Sequence, residues 1–94
     1  MSQMQGMDVD GVRRLAHLFT RSATQLEHAR RELTVLLHVT PWSGPDAHGV
    51  REEWHARHQG TLDHASRALR EACQRLLEQA DEQERASGIA GPSL

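Results

Sequence analysis

Seven histidines in 94 residues are the side chains of this sequence best suited to bind a metal ion. His55 and His58 are three residues apart and share a face if the segment is helical, and Glu52 precedes His55 by three. Glu52-x-x-His55 has the form of the carboxylate–histidine pair of di-iron helical bundles, and a dimer would supply a second copy. Such a site also needs further inward-facing Glu residues, which the apolar faces of this sequence lack. We therefore predict solvent-facing histidines, no metal and no other cofactor.

The candidate nucleophiles are equally weak. Ser43 lies in a turn, where its expected role is to cap the following helix. Cys73 is the only cysteine, which excludes an internal disulfide and a Cys-based zinc site. It lies on or beside an apolar helix face, where a free thiol acts as a small hydrophobic group. We predict no catalytic residues and no enzyme activity.

The first helix is predicted over residues 8–39, with Asp8 or Asp10 as its N-cap. Steps of three and four place two columns of residues on one apolar stripe. The columns are Val12, Phe19, Leu26 and Leu33, and Leu15, Ser22, Ala29 and Leu36. The arginines that fall off this stripe are predicted to be solvated: Arg13, Arg14, Arg21, Arg30 and Arg31.

A turn is predicted over residues 40–45, because Pro41 disfavours helical geometry at the residue before it. The second helix is predicted over residues 46–86, followed by a flexible tail over 87–94. Its stripe steps through Ala47, Val50, Trp54, His58, Leu62, Ala65, Leu69, Ala72 or Cys73, Leu76 and Ala80. Gly60 interrupts this stripe, either as a tolerated weak point or as a site of close packing or bending.

The fold class is therefore all-α: residues 1–94 form a single domain, an antiparallel two-helix hairpin. Such a hairpin buries little apolar surface alone, and each stripe is wider than one partner helix covers. We predict that it dimerises into a four-helix bundle. The residues predicted to pack the hairpin and the dimer are Leu15, Phe19, Leu26, Leu33, Trp54, Leu62, Leu69 and Leu76.

Composition excludes several functional classes. The net charge of −2 argues against a nucleic-acid partner. No run approaches the ~18 apolar residues of a spanning helix, so we expect no stable membrane insertion. A basic-then-apolar leader is absent, so we expect no cleaved signal peptide. Lys, Asn and Tyr are missing altogether, which indicates a GC-rich genome such as an actinobacterial one.

Trp42-Ser43-Gly44, between two long helices, resembles the Trp-X-Gly family of hundred-residue ESAT-like proteins, which type VII (ESX) secretion systems export. The surrounding run 40–47, the Arg51-Glu52-Glu53-Trp54 segment and the Gly6-Met7-Asp8-Val9-Asp10 start are also similar to actinobacterial members. The resemblance implies a helical hairpin that pairs with itself or with a second family member. It also implies export in folded form, without a cleaved leader, by the secretion ATPase.

Two positions carry over from the family motif, Trp42 and Gly44. Gly44 permits a backbone geometry or a close approach that a side chain would block. Trp42 offers a large amphipathic ring that either seals the end of the hairpin or meets another protein.

The sequence departs from the family at Val50, where many members carry an aromatic residue, and near the C-terminus. Substrates often have Tyr-xxx-Asp/Glu there, and Leu77 and Asp81 have that spacing without the Tyr. The surrounding acids are Glu78, Asp81, Glu82 and Glu84, against Arg85 alone. They form either a solvated helix end or an acidic surface that docks on a basic one, such as that of a secretion ATPase.

The function expected is a secreted type VII substrate or co-substrate that acts through protein–protein binding. The alternative is a non-exported cytoplasmic adaptor or chaperone for a larger toxin-like partner, which the missing Tyr favours. A coiled-coil module without a link to secretion is a third possibility, which leaves the Trp-X-Gly turn unexplained.

Overall fold

The computed structural model describes residues 7–90, which fold as an all-α hairpin. Helix α1 spans Val9–Val39, and helix α2 spans Pro45–Glu53. A π-helical turn over Trp54–His58 joins α2 to helix α3, which spans Gln59–Ala90. Helix α2, this π turn and α3 form one long, bent rod antiparallel to α1. None of the described helices is long and apolar enough to cross a membrane.

The ends of α1 follow from its flanking residues. Asp8 is the N-cap, and its side chain accepts a hydrogen bond of 3.0 Å from the backbone N–H of Gly11. Thr40 ends the helix in an extended conformation because Pro41 follows it. The predicted end at Val39 and one of the two predicted caps therefore agree with the structure.

The turn depends on Gly44, whose φ of 108° lies in a region that L side chains rarely adopt. No atom lies within 4 Å of where a Cβ of Gly44 would be, so backbone geometry rather than close approach requires the glycine. Gly44 is also the N-cap of α2, and no side chain caps that helix. The prediction that Ser43 caps it is wrong, because Gly44 holds the N-cap position. The helix begins at Pro45, one residue before its predicted start at 46.

The π turn was not predicted, and it shifts the buried face of the second rod by one residue. Residue 65 follows Trp54 by three helical turns and would share its face in a regular helix. The structure buries Ser66 instead, because a π turn holds one additional residue. His58 of the predicted stripe is consequently exposed. The surroundings of Gly60 are open, so the close-packing interpretation of this residue is wrong.

Helix α3 continues beyond its predicted end at residue 86, as far as Ala90. A single helical glycine at Gly88 costs only about 1 kcal/mol, which does not end the helix. Residues 91–94 of the predicted tail lie outside the described residues.

The seam between the two rods is narrow and built from small residues. Ala16, Ala23, Ala47 and Ala80 are fully buried, and Trp54 is the one large side chain among the buried hydrophobic residues described. The molecule measures 73 × 23 × 13 Å, which is about one helix diameter thick. Its accessible surface is 6923 Å², against about 5,500 Å² for a compact monomer of this mass. The hairpin is therefore a single layer without an enclosed core.

Candidate functional site: two flanks of one hairpin

One side of the seam, which we call the polar flank, carries hydrogen bonds and ion pairs between the rods. On α1 it consists of Arg13, Thr20, Glu27 and Thr34, which are seven residues apart. The Arg70 guanidinium donates two hydrogen bonds to the Glu27 carboxylate, at 3.0 and 2.8 Å. Thr20 donates to the sulfur of Cys73 at 2.8 Å. These bonds hold the two rods in antiparallel register.

At the open end of the hairpin, Arg13 binds two acids of α3. One terminal nitrogen, Nη2, lies 2.8 Å from Asp81 Oδ1 and 2.8 Å from Glu84 Oε1. Hydrogen bonding to Arg13 lowers the pKa of Glu84, and hydrogen bonding to Arg70 lowers the pKa of Glu27. Both carboxylates are therefore stabilised in their charged form.

At the closed end, the indole N–H of Trp54 donates to the Thr34 hydroxyl at 2.9 Å. The Thr34 hydroxyl in turn donates to the backbone oxygen of Arg30 at 2.8 Å. This relay satisfies the polar atom of the largest buried side chain.

The opposite side of the seam, which we call the apolar flank, follows from helix geometry. Leu26 immediately precedes Glu27, and Leu69 immediately precedes Arg70, so each leucine is offset from the polar flank in the same rotational sense. Because the rods are antiparallel, the same offset places both leucines on the same side of the hairpin. The members of the apolar flank are Val12, Leu15, Phe19, Ser22, Leu26, Ala29, Leu33, Leu36, Leu62, Ala65, Leu69, Ala72 and Leu76.

The apolar flank is not covered within one hairpin. None of its members is buried, and Leu15, Leu33 and Leu36 are 42%, 44% and 49% exposed. Leu15 and Leu33, which were predicted to pack the hairpin and the dimer, are therefore exposed in a single chain. The reason is that the seam runs one residue away, through Ala16 and Ala23, so the larger side chains lie beside it. Phe19, Leu26, Leu62, Leu69 and Leu76 are half-buried along its edge, and Trp54 is buried within it.

The Trp-X-Gly turn is held by Arg51 of α2. Its guanidinium donates to the backbone oxygens of Leu37, Thr40 and Trp42, at 2.6, 3.1 and 2.8 Å. It also lies 5.7 Å from the centre of the Trp42 ring, within the range of a cation–π contact. The Trp42 ring remains 43% exposed. Arg51 therefore fixes the turn and leaves one face of Trp42 available to solvent.

The residues near the C-terminal end of α3 that were considered as a secretion signal, namely Leu77, Asp81, Glu82 and Glu84, lie in different environments. Asp81 and Glu84 bind Arg13, although their side chains stay 57% and 64% exposed. Leu77 is half-buried and lines a groove on the polar flank with Thr20 and Cys73. Glu82 is exposed, and no ion pair among residues 7–90 includes it.

The residues considered for chemistry do not assemble into a catalytic or metal site. Glu52, His55 and His58 are exposed, and Glu52 faces His48 at 3.6 Å instead. Within the described part of the chain, no group of three or more potential ligand side chains is arranged to hold a metal ion. Cys73 is buried in the seam, as a small hydrophobic residue would be.

The contacts of Arg13, Arg51 and Arg70 were not predicted from the sequence. Arg13 was expected to be solvated, yet it joins the rods because its column faces α3 rather than solvent. One signal was present: Arg13, Thr20, Glu27 and Thr34 form a polar column with the same seven-residue spacing as the apolar stripe. No equivalent signal identifies Arg51, whose partners are backbone oxygens.

Comparison of the chain with models of protein families, with curated proteins and with solved structures gives no match.

Proposed function

We propose that this protein is an ESAT-like substrate or co-substrate of a type VII secretion system and acts by binding other proteins. The observation that carries the proposal is the uncovered apolar flank of a one-layer hairpin whose closed end is a Trp-X-Gly turn. In this proposal the apolar flanks of two hairpins pack together into a four-helix bundle. Each partner covers a flank that would otherwise expose a strip of leucines to water.

The dimensions of the apolar flank support a two-helix partner. Helix α1 has 31 residues and is about 46 Å long, and the hairpin is 23 Å wide. The face that carries the flank therefore measures about 1,000 Å², which is comparable with the ~800 Å² per partner of a standard interface. A single helix, about 10 Å wide, would leave half of it exposed.

The partner in this proposal is a second copy of the chain or a second Trp-X-Gly protein. The flank contains no charged residue. Rejection of a wrong partner generally requires a repulsive element, so nothing on this flank prevents self-association.

Recognition by the secretion ATPase is assigned to the closed end, where Trp42 is exposed and held in place by Arg51. Aromatic residues on a rigid support are typical binding anchors. In this proposal the protein leaves the cell without a cleaved signal peptide.

A cytoplasmic adaptor or chaperone for a larger toxin-like partner is the second candidate. The chain has no Tyr, and two of the acids near the C-terminal end of α3 already bind Arg13. An acidic docking surface would therefore compete with a contact inside the molecule. The same apolar flank would then bind a hairpin of the toxin-like partner.

Export from the native host, with and without the type VII ATPase gene, separates these candidates. Washed cells and culture filtrate are immunoblotted, with a cytosolic marker as control for lysis. A filtrate signal that disappears with the ATPase supports the secreted substrate. Protein confined to the cells in both strains, while known substrates are still exported, supports the adaptor.

Variants at the open end test whether the acids act by docking. Asp81→Asn with Glu84→Gln removes both the acids and the Arg13 contact, whereas Arg13→Gln removes the contact and keeps the acids. Loss of export in the first variant alone indicates docking through the acids. If both variants are exported as efficiently as the parent protein, Asp81 and Glu84 have no role in recognition.

A further inference from the structure

A groove on the polar flank runs beside the π turn and has two parts that meet at His55. The first part is a cavity of about 160 Å³ between α1 and the second rod. Its lining consists of Thr34, Leu37, His38, Arg51, Trp54 and His55. The second part is wider and more open, at about 450 Å³, and its lining consists of Arg30, His55, Gln59, Gly60 and Asp63.

The first part has the size of one apolar side chain. An apolar cavity of about 150 Å³ holds a benzene molecule. The Thr34 hydroxyl and the Trp54 indole N–H are already hydrogen-bonded to each other. A ligand in this cavity would therefore make mainly apolar contacts, with the Trp54 ring and Leu37. A leucine or phenylalanine side chain fits such a space.

Two residues that line the second part, Arg30 and Gln59, carry an unmatched donor and an unmatched acceptor. Arg30 Nε and Gln59 Oε1 are shielded from solvent, and neither has a hydrogen-bond partner in the described part of the protein. Buried polar atoms are normally paired, because an unpaired one is destabilising. A peptide group supplies one acceptor and one donor, the complement of this pair. Asp63 is bound by Arg67 at 2.8 Å, so its charge is already balanced within α3.

We propose that this groove binds a segment of a partner polypeptide. One apolar side chain of the segment packs against Trp54 and Leu37. A peptide group of the same segment accepts from Arg30 Nε and donates to Gln59 Oε1, after small rotations of these two side chains. The groove lies on the polar flank, so a dimer formed through the apolar flank keeps it on the outside and the two interactions are independent.

The test is NMR titration of the ¹⁵N-labelled full-length protein with N-acetyl-leucine N′-methylamide, a leucine side chain between two peptide groups. We expect shifts at the Arg30 Nε–H and the Trp54 indole N–H that saturate with a dissociation constant of about 1 mM. The alanine analogue has the same peptide groups without the side chain, and we expect it to bind at least about tenfold more weakly. Equal responses to both probes would overturn the assignment of the cavity.

Two glycine variants provide a matched pair. Gly60 lines the groove and Gly49 does not, and both are helical glycines with open space around the place where a Cβ would stand. We expect Gly60→Trp to fill the groove and abolish the shifts, whereas Gly49→Trp leaves them unchanged. Circular dichroism checks that both variants are helical. Gln59→Leu, which removes the acceptor with the rest of the amide and keeps Arg30, is expected to weaken binding about tenfold.

Absence of shifts in the parent protein would overturn the proposal. It is the result expected if Arg30 simply donates to Gln59 or if both atoms bind water only. Identical shifts in parent and Gly60→Trp would overturn it as well. Neither result depends on whether the protein dimerises or is exported.

Discussion

The two flanks of the hairpin both consist of residues seven apart on α1, but one flank pairs with the second rod and the other stays uncovered. The polar flank is closed by Arg13, Glu27, Arg70 and the Trp54–Thr34 hydrogen bond, and these contacts, unlike the atoms of the groove beside the π turn, are paired within one chain. The apolar flank has no buried member and no partner within the described chain. Polar contacts fix which residues of the two rods face each other, while most of the apolar surface remains for another molecule. The hairpin is therefore specified by one flank and assembled, in our proposal, through the other.

The largest effect is expected from a charge on the apolar flank. Leu26→Arg and Leu69→Arg would each bury an unpaired charge in the proposed dimer, at a cost of several kcal/mol. We expect the dimer dissociation constant to rise at least about 100-fold, measured by analytical ultracentrifugation. Val35→Arg is the control, because Val35 is 57% exposed and lies nine residues, or two and a half turns, from Leu26 on the other face of α1. An unchanged dimer in the Leu26→Arg variant would contradict assembly through this flank.

A smaller effect is expected where an arginine binds backbone oxygens. Arg51→Ala removes three hydrogen bonds to the C-terminal end of α1 and the turn, and we expect a loss of about 2–3 kcal/mol in unfolding free energy. Arg57→Ala removes only an exposed ion pair with Glu53, and we expect less than about 0.5 kcal/mol. Urea denaturation measures both. Equal losses in the two variants would mean that Arg51 does not hold the turn.

Substitution of the two tryptophans compares the stability contributed by a residue in the seam, Trp54, with that contributed by a surface residue, Trp42. Trp54→Phe keeps most of the ring but leaves the Thr34 hydroxyl without its donor, which we expect to cost about 1 kcal/mol. Trp42→Phe should change stability by less than about 0.5 kcal/mol because the ring is 43% exposed. Thermal unfolding followed by circular dichroism compares them. A larger loss in Trp42→Phe would reverse the roles that the structure assigns.

The smallest effect is expected from the exposed ion pairs of the polar flank. The pKa values of Glu27 and Glu84 lie below their ordinary value of 4.5 in the folded protein because Arg70 and Arg13 bind them. A lowered folded pKa gives stability that is complete above the unfolded value and is lost as pH falls through the folded value. We expect the urea concentration at the unfolding midpoint to decrease as the pH drops below about 4.5. In Arg70→Gln, the part of this decrease that is due to Glu27 should be absent. The same decline in parent and variant would show that this pair contributes no pH dependence.

The seven-residue spacing of apolar residues and the two prolines of the turn determined two helices and the place where they reverse. The limits of α1 could be predicted because Asp8 and Pro41 act within a few residues of themselves. The requirement for glycine at position 44, whose φ is positive, also depends only on the turn around it. For the candidate site, the sequence indicated an apolar stripe and left open whether Trp42 seals the hairpin or meets another protein. It gave no sign of which neighbouring column the second rod would cover.

Only the tertiary structure decided that choice. Ala16 and Ala23 allow the rods to approach closely, and the Glu27–Arg70 pair satisfies its charges across the same seam, so the leucines remain to one side. The π turn is likewise a tertiary result, because Trp54 and Ser66 both face α1 only if one additional residue is held between them. Local spacing defines the faces of a helix, but which face is buried depends on the packing and polar pairing that the whole hairpin satisfies at once.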